Sequence, residues 1–177
     1  MLLSENPTTE LFYTNFGKQL ESMEKSIEVT MKKETVYSCA LLLSTYTEIL
    51  GGLVTGNLKD NKEMRNNYVK FLEYLGTKYV ELHNQYDLYK NVRSKLVHEF
   101  SPRPSYVIWI SEEVQEDRNG IEVIDGHLNF YLKEYYRDFQ QGVKKYLEGW
   151  NSDAMLIINF SKIMSIDWQN TTLKEKS

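Results

Sequence analysis

The chain has 177 residues, a size that suits one domain with a hydrophobic core and no second one. Its formal net charge of −4 argues against a broad basic face holding nucleic acid through many phosphate contacts, although a local basic patch stays open. The single cysteine, Cys39, excludes an intramolecular disulfide framework, and His83, His98 and His127 show no zinc-ligand spacing, so neither metal nor cofactor is expected.

The opening MLLSENPTTE lacks a basic n-region and a long apolar run, so no signal peptide is expected. From Thr9, the residues Phe12, Phe16, Leu20, Met23, Ile27 and Met31 recur at steps of three and four and predict a helix of about six turns. Asn6-Pro7 supplies its cap and first-turn proline. A second helix, from Thr35 to about Leu53, is apolar over most of its circumference and reads as the most buried one. Gly51-Gly52 and Gly56-Asn57 are expected to weaken and end it. Its apolar run is interrupted by Thr45, Thr47 and Glu48 and falls short of a membrane span, which leaves a soluble cytoplasmic protein as the expectation.

A third helix is expected from Lys62 to about Tyr79, with Met64, Tyr68, Phe71, Leu72 and Leu75 inward. A fourth starts near Asn84 as cap, with Asp87 at its positive end and Tyr89, Val92, Leu96 and Phe100 as its stripe. Ser101-Pro102-Arg103-Pro104 stops it and leaves His98 in the last turn. The period then changes. YVIWIS reads as a strand, and IEVI-DG-HLNF as a hairpin with a two-residue Asp125-Gly126 turn, giving a small β insertion at about 106–130. The acidic run Glu112, Glu113, Glu116, Asp117 reads as a solvated loop. From Tyr131 or Leu132 to Gly149 the pattern is helical again, with Tyr135, Phe139, Val143 and Leu147 on one face. AMLIINFSKIMSI reads as a last helix, followed by a loose polar tail from about residue 168. The fold class expected is therefore mainly α: an up-down bundle of 4–6 helices forming a single domain over 1–177, with a small β-hairpin insertion.

The chemistry concentrates in NVRSKLVHEFSP, where Arg93 and His98 stand five positions apart at the end of the fourth helix. With the apolar helix YSCALLLSTYTEILGGL before it, this R-x4-H pattern resembles the HEPN superfamily of small helical domains, including plasmid-associated branches with a β insertion. The resemblance covers roughly residues 9–148 in architecture and about a dozen in sequence. It implies a metal-independent endoribonuclease, of toxin or defence type, in which the RNA 2′-hydroxyl attacks the neighbouring phosphate. His98 would move protons and Arg93 would clamp the phosphate, helped by Ser94, Lys95 and Arg103. The family usually has asparagine straight after the arginine; here it is Ser94.

Helix geometry adds a constraint of its own. Residues five apart on a regular helix point about 140° apart, so one copy of the pair cannot easily grip one phosphate. A two-fold axis near the fourth helices would bring both copies together, so a homodimer is expected, with RNA and an antitoxin or other protein as further partners. Competing readings stand beside this one: a solvated or salt-bridged arginine, a helix-end histidine, or a catalytically silent RNA-binding or protein-interaction module. His83, placed in a loop, and His127 read as structural or exposed. Tyr79, Tyr86 and Tyr89 read either as base-stacking residues or as the edge of the bundle core.

Overall fold

A computed structural model of the protein describes residues 7–58, 60–98 and 106–174. Seven α-helices and three strands follow in chain order: α1 Pro7–Lys32, α2 Val36–Thr55, α3 Met64–Leu75, α4 Thr77–Tyr86, α5 Lys95–His98, β1 Tyr106–Trp109, β2 Ile121–Ile124, β3 His127–Tyr131, α6 Leu132–Gly149 and α7 Ala154–Lys174. The helical bundle with a small β element is thus as expected. Helix α7 continues to Lys174, through the stretch read as a loose tail.

Helix α2 is the centre, in contact with α1, α3, α6 and α7. It is long and apolar enough to cross a membrane, contrary to the sequence expectation, but more than half of its apolar window is covered by the other elements of the fold. Gly51 and Gly52 do not end it. They lie buried inside α2, and a Cβ on Gly51 would stand 1.7 Å from the carbonyl oxygen of Asn67, so α3 crosses where only a glycine fits. Asn67 locks this crossing from α3: its Nδ2 donates to the Asn57 carbonyl at 2.7 Å, and Thr55 Oγ1 donates to its Oδ1 at 2.7 Å. Helix α2 stops one turn later at Gly56, in the left-handed region at φ 72°.

The third helix expected to reach Tyr79 is broken at Gly76, whose φ of 141° no L side chain adopts comfortably, and the chain re-enters a helix as α4. Tyr68, Phe71, Leu72 and Leu75 are buried as expected, and Met64 is only half-buried. His83 accordingly lies on α4, not in a loop.

The hairpin is as read. Asp125 (φ 50°) and Gly126 (φ 77°) both take the left-handed conformation that joins β2 and β3, which pair antiparallel. Strand β1 adds to β3 in parallel, with Trp109 opposite Tyr131, so the sheet order is β1-β3-β2 and β1 is an edge. The sheet is tied to the helices through Gly120, which packs against the Tyr135 backbone at 2.3 Å from where a Cβ would sit. Its amide donates to Tyr79 Oη at 2.8 Å, and the Tyr79 hydroxyl donates to buried Asp138 on α6.

Candidate functional site

Helix α4 ends at Asp87, in the left-handed region at φ 45°, with its amide donating to the His83 carbonyl at 2.8 Å. The chain turns straight back into helix, and it is Asp87, not Asn84, that caps it: Asp87 Oδ1 accepts from the Lys90 amide at 3.2 Å. Asn84 belongs to α4. The new helix begins as a wide π turn over Tyr89–Ser94 and tightens into α5 at Lys95–His98. Leu88, Val92 and Leu96, spaced by four, are all buried. An i→i+5 turn rotates each residue by only about 82°, and this keeps residues four apart on one face while carrying Arg93 round to α2.

There Arg93 meets Glu48. Arg93 Nη2 donates to Glu48 Oε1 at 3.1 Å, and Arg93 Nε stands 2.6 Å from Glu48 Oε2, an ionic contact made off the N–H direction. The two side chains are 12% and 10% exposed, so the pair is withdrawn from water. The Tyr89 ring lies 5.6 Å from the guanidinium, and Tyr68 meets Tyr89 edge-on at 5.7 Å. A second tie holds the same segment: the Tyr37 hydroxyl, from the other end of α2, donates to the Leu96 carbonyl. Arg93 is thus a fixed group, clamped to the central helix.

His98 is exposed at the end of α5. Ser94 and Lys95 are half-buried on the same segment. The proline stop, Phe100 and Arg103 lie outside the described residues. Arg93 and His98 share one short segment, and no hydrogen bond or ion pair joins them among the described residues. The π turn also revises the angle between them. With the Arg93–Ser94 step at the smaller rotation per residue, the separation falls from about 140° to about 120°, which narrows the gap without closing it.

Glu48 is the site residue that sequence reading passed over, treating it only as a break in an apolar run. Its signal was there: one carboxylate in the most apolar helix of the chain requires a buried cationic partner. Burial pushes the Glu48 carboxyl up from the ordinary carboxylate range, and the Arg93 guanidinium pulls it part of the way back. A raised folded value means that the folded state holds this proton more readily than the unfolded chain. The associated stability is therefore present below the ordinary carboxylate range and is lost as pH rises through the folded value. Urea midpoints measured through mildly acidic pH are expected to show this falling contribution, and Glu48→Gln is expected to remove it; an identical slope in the variant would contradict the assignment.

The remaining candidates take structural places. Tyr79 is 1% exposed and serves the Gly120–Asp138 link, so it is no base-stacking surface, while Tyr86 and Tyr89 pack against the core edge. His83 is buried, and burial lowers its pKa against the opposing pull of Asp87. His127 opens β3 at the surface. Among the described residues no three His, Cys, Asp or Glu side chains cluster as metal ligands would. No family model, curated protein or solved structure matches the chain.

Proposed function

We propose that the protein is a HEPN-type, metal-independent endoribonuclease whose working site combines Arg93 and His98 from two copies of the chain. The observation that carries this reading is the clamped guanidinium of Arg93 on the same short segment that presents His98 to solvent. Glu48 occupies the Nε and Nη2 edge of Arg93. An arginine has five N–H donors, so the Nη1 donors are left to hold a phosphate, and Glu48 sets their direction. His98, whose imidazole nitrogens can accept and donate a proton, takes the proton of the 2′-hydroxyl as O2′ bonds to phosphorus. The P–O5′ bond breaks, and a protonated imidazole, that of the second copy, delivers a proton to the departing oxygen. The product ends are a 2′,3′-cyclic phosphate and a 5′-hydroxyl. Ser94 and Lys95 flank the phosphate, and Arg103 extends the cationic stretch. A toxin or defence role, with an antitoxin-like protein partner, completes the reading.

Mixed RNA incubated with the protein in EDTA tests it. Cleavage is expected, with a loss of at least about a hundredfold in His98→Ala, the usual scale of one acid–base group. Cleavage unchanged in His98→Ala rejects the reading. Only monomer in the ultracentrifuge at micromolar concentration rejects the composite site.

One observation favours a second reading. Arg93 already has a full carboxylate partner and little exposure, as a purely structural arginine would. On that reading the chain is a catalytically silent module, and RNA binding survives His98→Ala without any cleavage.

A further inference from the structure

The second surface with the makings of a site lies on the sheet, and its chemistry is independent of Arg93. Strand β1 pairs only with β3, so its other edge has no strand partner among the described residues. Natural edge strands are blunted by charges or proline, and Tyr106–Trp109 carries neither. Ile108 packs toward the core, while Val107 and Trp109, which alternate with it, are 41% and 48% exposed on the opposite face.

Trp109 is exposed but held. Its Nε1 donates to Asn129 Oδ1 at 2.8 Å, and its ring stacks on Tyr131 at 6.4 Å and 17°. The Arg118 guanidinium lies 4.2 Å from the Tyr131 ring centroid, so a cation is already seated on this aromatic pair. Beside it, the acidic loop is solvated, as its composition suggests, but its backbone is pinned. Ser111 Oγ and the Gln115 amide donate to buried Glu134, and Arg137 donates to the carbonyls of Gln115, Glu116 and Arg118. A pinned backbone therefore presents Glu112, Glu113, Glu116 and Asp117 to solvent, and the first two line a cleft of about 500 Å³ together with Trp109 and Tyr131.

Charge selects the occupant. Within this loop four carboxylates stand against one arginine, which is stacked on Tyr131. Helix α6 adds Arg137, paired with Asp138, and Lys133, which donates to the Glu112 carbonyl, so the surface stays net acidic and a polyanion is repelled. A second copy would bring the same acidic loop in a chain of net charge −4. We propose that β1 docks an extended basic peptide segment of a partner protein, pairing backbone to backbone along its free edge and laying a lysine or arginine over Trp109 toward Glu112 and Glu113.

Calorimetric titration of the full chain with ten-residue peptides tests this. An alternating Lys–Val peptide is expected to bind, its Glu–Val analogue not to bind, and a Lys–Val peptide N-methylated on alternate amides to lose binding because it cannot pair as a strand. Trp109→Ala is expected to weaken binding about tenfold. Glu112→Gln with Glu113→Gln, two exposed changes that leave the fold alone, is expected to weaken it about fivefold and reduce its salt dependence. Equal binding of the Glu–Val and Lys–Val peptides, or unchanged binding by the Gln variant, overturns the proposal. So does self-association of the wild type that disappears in Trp109→Ala, which assigns the face to a second copy, and so does binding of a single-stranded RNA by the wild type that is lost in Trp109→Ala.

Discussion

Arg93→Ala is expected to cost about 3–5 kcal/mol of folding stability, among the largest effects of any single change in the molecule, because it leaves Glu48 buried and uncompensated against the core. Glu48→Ala is expected to cost less. The arginine that it strands has the longer, more flexible side chain, so it can swing its charge out to water, while the shorter carboxylate on the central helix cannot. Replacing both, as Glu48→Leu with Arg93→Met, is expected to recover most of the loss, since a buried ion pair and a well-packed apolar pair are often close in energy. Urea unfolding of the four proteins makes the test. The cost of Arg93→Ala should also shrink as pH falls, because the stranded carboxyl then takes up a proton, continuing the direction in which burial already pushes it. A cost below about 1 kcal/mol, the range of an exposed pair, would contradict the buried clamp. There is a practical consequence for the proposed chemistry. Lost activity in Arg93→Ala carries no information about catalysis unless the protein is shown to be folded, whereas His98 is exposed and its replacement leaves the core untouched.

The second large effect sets two glycines against each other. Both Gly17 and Gly51 lie inside helices, where alanine is favoured over glycine by about 1 kcal/mol. Nothing stands within 4 Å of a Cβ on Gly17, so Gly17→Ala is expected to stabilise by about 0.5–1 kcal/mol. At Gly51 the same methyl meets the Asn67 carbonyl oxygen at 1.7 Å and its carbonyl carbon at 2.4 Å. Neither atom can turn aside as a side chain would, so α3 must move away from α2, with Asn67 and its bonds to Asn57 and Thr55 moving too. Gly51→Ala is expected to cost more than about 3 kcal/mol, at the upper end of overpacking, and Gly51→Val to leave no cooperative thermal transition. Opposite signs in the two melting curves are the expected result. A neutral Gly51→Ala would mean that the α2–α3 crossing is looser than described.

These two sites also mark what a single sequence makes legible. Periodic elements were readable wherever their cause is local: the stripe of α1, the amphipathic α6, and the hairpin whose Asp125-Gly126 turn demands two left-handed residues. The helix ends were misread wherever the cause lies elsewhere in the fold. Gly51-Gly52 looked like a helix stop because the partner that requires glycine, the Asn67 backbone, is on another helix. Gly76 falls inside the stretch read as one helix from Lys62 to about Tyr79, yet the chain breaks there and restarts as α4. The cap moved from Asn84 to Asp87 because α4 runs on through Asn84 to Tyr86.

The site was legible by half. Arg93 and His98 stood out by spacing and by position near a proline stop, both local signals. The π turn that carries Arg93 and the carboxylate that holds it did not, since they follow from packing the Leu88, Val92 and Leu96 face onto the bundle core and from burying Glu48. The loop at Glu112–Asp117 shows the same division. Its charge was plain, and its rigidity depends on Glu134 and Arg137 from a helix far along the chain.

The most direct test of the proposed chemistry is end-group analysis of RNA incubated with the protein in EDTA. The account predicts fragments ending in 2′,3′-cyclic phosphate and 5′-hydroxyl from the wild type, and none from a His98→Ala protein that melts at the wild-type temperature. Intact RNA with the wild type, or the same ends from His98→Ala, would contradict it.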